Sequence, residues 1–314
     1  MAAISNTFMS LAAQGKNIVT SKHLFGNTYA LLVATLRRFG VKVRLRDLTN
    51  IEEVREAIDD DTCCVFLEIL TNPQLEVADL KAISEVAHEK NVPLVVDSTV
   101  IPFTQFSAKS LGVDIEVVSS SKYVSGGATS LGGLVIDYGT PYNGDFAKRL
   151  YGEMLFNFGA YMTPQVAYMQ TIGLETLDAR YRVQSGNALE LARKLRTLPQ
   201  IQYVNYVGLE DNPYHELAQR QFGKTAGAMI CIDLESKEAC FSFLNNLKLI
   251  HRATNLFDNR SLAIHPASTI FGAFSENMRK SMDVKDTTIR LSVGLEDVDD
   301  VFEDIKQAVE GIQK

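Results

Sequence analysis

A chain of 314 residues, 46 % hydrophobic and 22 % charged, carries enough apolar material for two packed domains and no disordered or low-complexity bias. Its formal net charge of −7 argues against nucleic acid or an anionic membrane as partner. No apolar run reaches the ~18 residues that cross a bilayer. With no secretory layout at the N-terminus and cysteines (63, 64, 231 and 240) lacking metal-ligand spacing, the chain reads as a cytoplasmic protein with reduced thiols.

In chain order, short apolar, β-branched runs alternate with helical spacing through the first half. Strands are expected at 17–22, 42–47, 63–69, 93–99, 115–121 and 132–138, with helices at 27–40, 51–60 and 77–91. That alternation predicts βαβ units and a mostly parallel sheet. The basic stretch 36–47 interleaves apolar residues with its charges and reads as a solvated face. From 163 to 198 the pattern is helical, with a break expected near Gly173. Strands at 226–234 and 287–295, with helices at 237–248 and in the last 20 or so residues, predict a smaller α+β unit. The expected domains are residues 1–170 and 171–314.

Ligands of an open parallel sheet bind beyond the carboxyl ends of its strands, so polar residues at those ends are the first candidates. Three ends stand out: Glu68 to Asn72, Asp97 to Thr99, and Ser119 to Lys122. A cofactor with a cationic ring, an anionic phosphate and an aldehyde needs an acid, donor hydroxyls and an amine, and these ends supply all three. The small residues of YVSGGATSLGG after Lys122 let a bulky ligand approach the backbone. Taken singly, Lys122 reads as a surface charge, Phe25 as core, and Arg290 as an ion-pair partner of Glu296 or Asp297. His265 reads as a hydrogen-bonded structural histidine.

VVDST, SSSKYVSGG, GLETLDAR and RLSVGLEDVDD, in that order, resemble the Cys/Met-metabolism family of pyridoxal 5'-phosphate (PLP) enzymes. The resemblance runs from the first residues to the last helix. It implies a type I PLP-dependent transferase fold, α/β, with a mostly parallel seven-stranded sheet domain and a smaller C-terminal α+β domain. It also implies a homo-oligomer, dimer or tetramer, acting on a small amino-acid substrate. On the matching positions Lys122 is the Schiff-base lysine, Asp97 the acid facing the ring nitrogen, and Ser119 and Ser121 phosphate-binding hydroxyls. Asn72 meets the ring hydroxyl, Thr99 lies beside the ring, and Arg290 forks onto the substrate carboxylate. Phe25 stands where the family has a stacking tyrosine, which keeps the aromatic face and removes the phenol.

SKHLFGNTYAL and SLAIHPASTIFGAFSENMRKSMDVKDTTIRLSVGLED look like O-acetylhomoserine sulfhydrylases, also called O-acetylhomoserine aminocarboxypropyltransferases. The implied reaction is γ-replacement on O-acetyl-L-homoserine: acetate leaves Cγ and sulfide or methanethiol takes its place. The alternatives are a methionine- or cystathionine-type γ-lyase, or a non-catalytic truncated copy that retains the fold. MAAISN resembles a family segment with a glycine before that methionine and, ahead of it, an arm reaching the neighbouring subunit's phosphate site. On that resemblance the expectation is residual PLP binding with weak or no turnover if this chain acts alone.

Overall fold

The computed structural model describes residues 1–312, and in its first half the central strands, at Asn17–Ser21, Thr62–Glu68, Leu94–Asp97 and Ile115–Val118, carry apolar residues buried on both faces. Helix α1 (Ala2–Leu11) leads into β1 (Asn17–Ser21), then α2 (Gly26–Ala30), β2 (Lys42–Arg46), α3 (Ile51–Ala57), β3 (Thr62–Glu68), α4 (Leu80–Glu89), β4 (Leu94–Asp97), β5 (Ile115–Val118) and β6 (Leu134–Asp137). These strands form one sheet in the order β2-β1-β3-β4-β5-β6, parallel except for the β5–β6 pair. Side chains alternate across a strand, so Ile18, Cys64, Phe66 and Val95 enter one apolar layer while Val19, Val65, Leu67 and Val96 enter the other. Helix α1 covers the first layer, where Phe8 meets Phe66 edge to face at 4.9 Å.

Local sequence explains where the helices start. Asn50 accepts the N–H of Glu52 ahead of α3, and Asp79 that of Ala82 ahead of α4, each satisfying a donor that the first turn leaves free. The expected helix at 27–40 is less regular. After α2 the backbone widens into a π-helical turn at Leu31–Thr35 and tightens into a 3₁₀ turn at Leu36–Phe39, ended by the left-handed Gly40.

Three helices follow, α5 (Phe146–Arg149), α6 (Phe156–Phe158) and α7 (Pro164–Glu175), and then the long α8 (Leu177–Leu195). The break falls at Thr176 rather than at Gly173. Gly173 is there for a different reason: a Cβ on it would stand 2.0 Å from the Val124 carbonyl oxygen, so only glycine lets α7 lie against that backbone.

The rest of the chain builds a second sheet from β7 (Tyr203–Asn205), α9 (His215–Phe222), β8 (Met229–Asp233), α10 (Lys237–Asn246), β9 (His251–Arg252), β10 (Leu262–Ile264), α11 (Glu276–Ser281), β11 (Thr288–Ser292) and α12 (Val298–Glu310). Its order is β7-β8-β11-β10-β9. The expected strands are β8 and β11. Strands β7, β9 and β10 span two or three residues each, too short to show a period of two. One apolar core runs on from the first sheet to this one, through Leu191 and Leu195 of α8 to Ile230, Ile289 and Ile305.

The six strands read directly from the sequence all form, whereas the resemblance implied seven. Among the described residues no seventh strand joins: the stretch between Lys122 and β6 is taken up by a 3₁₀ turn and a glycine-rich loop.

Candidate active site

Because β1, β3, β4 and β5 are parallel, their carboxyl ends lie along one edge of the sheet. Asp97 closes β4. The Thr99 N–H donates to its Oδ1 at 2.9 Å, and the Thr99 hydroxyl oxygen accepts the Ser119 N–H at 2.8 Å, so Thr99 ties the ends of β4 and β5 together. Burial pushes the Asp97 carboxyl above its usual range, and the Thr99 hydrogen bonds only partly oppose it. The Ser121 hydroxyl accepts the Gly132 N–H at 2.8 Å and donates to the Gly132 carbonyl at 3.2 Å, bracing the loop that returns to β6. A Cβ on Gly133 would lie 2.7 Å from the Ala3 Cβ and 3.5 Å from the Val118 carbonyl, which places the first turn of α1 over the end of β5. That turn of α1 therefore lies near the end of β5 that leads to Ser119 and Ser121.

Lys122 follows on a turn fixed by its own backbone: its N–H donates to the Ser119 carbonyl and its carbonyl accepts the Ser125 N–H, each at 3.1 Å. Gly126, at φ 70°, ends the turn in a conformation that favours glycine. The turn is clamped from behind by Arg180, whose Nη2 donates to the Tyr123 carbonyl at 2.8 Å and the Gly173 carbonyl at 2.7 Å. The Lys122 ammonium donates to the Asn255 side-chain oxygen. Burial, and next the charge of Arg290, pull its pKa down to about 8.

Arg290, on β11, is only 1 % exposed. Its Nη1 donates to Asn72 Oδ1 at 3.3 Å and its Nη2 to the Asn255 carbonyl at 3.0 Å, while its buried Nε has no partner. Neither expected ion pair forms, because the other groups are committed elsewhere. Glu296 accepts the Ser261 N–H at 2.7 Å, and Asp297 caps α12 through the Asp299 N–H at 2.9 Å. A guanidinium removed from water without a carboxylate is costly, and burial lowers its pKa to about 10. Phe25 lies on the same edge, half-buried, with its N–H donating to Glu68 Oε1 at 2.6 Å.

The edge thus joins two hydrogen-bonded threads, Asp97–Thr99–Ser119 and Lys122–Asn255–Arg290–Asn72. A lysine with a lowered pKa suits an aldehyde, and a desolvated carboxyl suits a protonated ring nitrogen. The orphaned guanidinium suits a carboxylate, and a helix N-terminus near two serines suits a phosphate. The donor set fits PLP and an amino acid.

The sequence profile of the Cys/Met metabolism PLP-dependent enzymes matches residues 1–310. The chain belongs to that family. An L-methionine gamma-lyase from Fusobacterium nucleatum is 38 % identical over 316 residues, covering 99 % of this chain and 78 % of its own. An O-acetylhomoserine (thiol)-lyase structure from Campylobacter jejuni, which carries a pyridoxyl-lysine phosphate, superposes with a TM-score of 0.95 at 33 % identity, over 98 % of this chain and 80 % of that one. The O-acetylhomoserine sulfhydrylase of Wolinella succinogenes is 42 % identical with a TM-score of 0.87, over 98 % and 89 % of the two chains. The fold is therefore that of the PLP-dependent transferases, and PLP is the family's cofactor.

Glu68, Asn255 and Arg180 also meet the residues of this edge, and the sequence by itself assigns none of them a role. Glu68 carried a signal, a carboxyl at the end of an apolar strand. Asn255 carried none, because a loop asparagine acquires meaning only when folding brings Lys122 and Arg290 to it. His265 is structural, as expected: its two ring nitrogens meet Ser268 Oγ and the Asp286 carbonyl, both at 2.8 Å.

His23 does more than its sequence context suggested. Its buried ring bridges Glu76 and Asp283, at 2.8 Å to the latter, and Lys22 also reaches Asp283 at 2.7 Å, so the segment leading to Phe25 is tied to the second half of the chain. Burial opposes a charged ring, but the two carboxylates outweigh it and raise the His23 pKa above its ordinary 6.5. A raised folded-state pKa stabilises the fold fully below the unfolded value and stops doing so as pH climbs through the folded one. The thermal midpoint should therefore fall as pH rises above 6.5, and His23→Gln should flatten that dependence in scanning calorimetry.

Proposed function

We propose that this PLP enzyme catalyses γ-replacement on O-acetyl-L-homoserine, with sulfide or methanethiol giving homocysteine or methionine. The observation that carries the reading is the 42 % identity, over 98 % of the chain, with the Wolinella sulfhydrylase, set on a site whose cation and amine both stand ready for an amino acid. Bound PLP supplies an electron sink that stabilises negative charge at the substrate's Cα.

The chain's own residues do the rest. Asp97 would pair with the ring nitrogen, Asn72 would meet the ring hydroxyl, and Phe25 would stack on the ring, with Thr99 at its side. Ser119, Ser121 and the first turn of α1 would hold the phosphate. Exchange of its bond to Gly132 frees the Ser121 hydroxyl for that task. Arg290 takes the substrate carboxylate in place of its present carbonyl partners, since a planar fork grips a carboxylate at two points. Lys122 would hold the PLP aldehyde through Nζ and, with its amine free, would act as the base. With a pKa near 8, Nζ is neutral often enough at cellular pH to take the Cα proton and then serve at Cβ. Asn255 holds Nζ by a hydrogen bond to its side-chain oxygen.

The 38 % identity with a methionine gamma-lyase favours a second reading, in which methanethiol leaves Cγ and water converts the remaining carbon skeleton to a keto acid and ammonia. The two separate cleanly in one assay of the purified PLP-loaded protein. The expected result is thiol-dependent release of acetate from O-acetyl-L-homoserine. Faster ammonia release from L-methionine, with no thiol-dependent product, would overturn it.

We also propose that the chain assembles with copies of itself and acts in the cytoplasm, divided into a cofactor domain, 1–170, and a smaller domain, 171–314. Phe156, Phe158, Tyr161 and Tyr168 are 57–69 % exposed along one short stretch, more aromatic surface than a lone subunit keeps in water, which supports assembly. Four free cysteines suit a reducing compartment. Light scattering should give a mass above that of one 34.8 kDa chain, and Phe156→Asp with Tyr168→Asp should lower it.

A further inference from the structure

Strands β3 and β4 pair in parallel with Glu68 opposite Asp97, so their carboxyls leave the sheet on the same face as nearest neighbours. Glu68 is 7 % exposed. Its one hydrogen-bond partner among the described residues is the Phe25 N–H, at 2.6 Å; among those residues no lysine, arginine or histidine neutralises either carboxyl, while the N-terminal amine favours the charged form of Asp97 and the buried Glu116 carboxyl also feels Asp97. Two carboxyls in one desolvated spot do not both ionise. Asp97 is the better home for the charge: it is less buried than Glu68 and accepts from Thr99. The proton is left on Glu68, in agreement with the upward push that burial, and next Asp97, give its carboxyl.

We propose that Glu68 is a positioning residue working as the neutral acid: it holds the backbone of Phe25 beneath the cofactor ring while leaving Asp97 the only anion facing the ring nitrogen. This rests on the reading of Asp97 and Phe25 given above and adds a division of labour between two adjacent carboxyls. A charged Glu68 would share the ring's proton with Asp97 and weaken its hold. A shorter side chain at 68 would release the Phe25 N–H and with it the stacking face.

Infrared spectroscopy reads the protonation directly, in the protein with and without PLP. A protonated-carboxyl C=O stretch is expected at neutral pH that Glu68→Gln removes and that, in the unmodified protein, persists well above the ordinary carboxylate value of 4.5 and vanishes only at high pH. The buried Glu116 carboxyl, also pushed up, gives a band of its own, so the Glu68 band is the one missing from the Glu68→Gln difference spectrum, and circular dichroism checks that this variant folds. Glu68→Asp should weaken PLP binding about tenfold, the effect of one lost hydrogen bond, and Glu68→Gln, which keeps an acceptor of the same reach, should weaken it less. No protonated-carboxyl band, or a Glu68→Gln protein that loses PLP as completely as Asp97→Asn, would overturn the proposal. Asp97→Asn that leaves the PLP absorption spectrum and its pH dependence unchanged would instead overturn the reading of Asp97 on which the proposal rests.

Discussion

Replacing Lys122 by alanine should abolish the visible absorption of lysine-bound PLP and lower turnover by about 10³- to 10⁴-fold, the range that a positioned base commands together with loss of the covalent attachment. Nothing nearby can stand in. Among the described residues, Arg290 is the cation whose charge most lowers the Lys122 pKa, and with its own pKa near 10 it stays protonated at neutral pH. The fold should survive the substitution. The Lys122 turn is held by backbone hydrogen bonds to Ser119 and Ser125 and by Arg180 on the Tyr123 carbonyl, none of which uses the lysine side chain. Circular dichroism should therefore match that of the unaltered protein while the absorption band and the assay both fail. A variant that keeps the band would place the covalent attachment elsewhere and remove the basis of the proposed chemistry.

The pH profile of the intact enzyme follows from the same group. With Lys122 titrating near 8, the rate should rise toward that value as the amine loses its proton, and Asn255→Ala should move the midpoint by removing the acceptor that now holds the charged form.

Arg290→Lys should cost kcat/KM about 10²- to 10³-fold, carried mainly by KM, because lysine presents one point of charge where the guanidinium offers a planar fork. The effect is large because the position is dry. At 1 % exposure the ion has no water to fall back on, and its present partners are the neutral oxygens of Asn72, Thr254 and Asn255. Arg290→Ala should cost more against substrate and less against folding, since deleting a buried cation that has no carboxylate partner relieves a desolvation penalty. Thermal denaturation of the two variants beside their KM values checks both halves. A stable alanine variant with unchanged KM would show that the substrate carboxylate is held elsewhere.

Much of the first sheet is legible in the order of residues alone. Strands β1, β3, β4 and β5 stand where apolar β-branched runs predict them, because a parallel strand buried on both faces must be apolar through most of its length, while the edge strands β2 and β6 are only partly buried and show through alternation and flanking turns instead. The second sheet is less legible. Strands β7, β9 and β10 are set by pairing with β8 and β11, and two or three residues carry no periodicity of their own.

The site divides in the same way. Asp97, Thr99, Ser119, Ser121, Lys122 and Glu68 sit at or beside the carboxyl ends of strands, so composition at those ends was enough to single them out. Sequence by itself determined the parallel sheet, the polar edge and, through four ordered motifs, the PLP family. Only the tertiary structure decided that Asn255 clasps Lys122, that Arg290 is buried without Glu296 or Asp297, that His23 joins Glu76 to Asp283, and that Glu68 lies against Asp97. Each of these depends on a through-space contact between residues distant in the chain, and Coulomb and desolvation energies follow distance in space, which no local pattern of residues records.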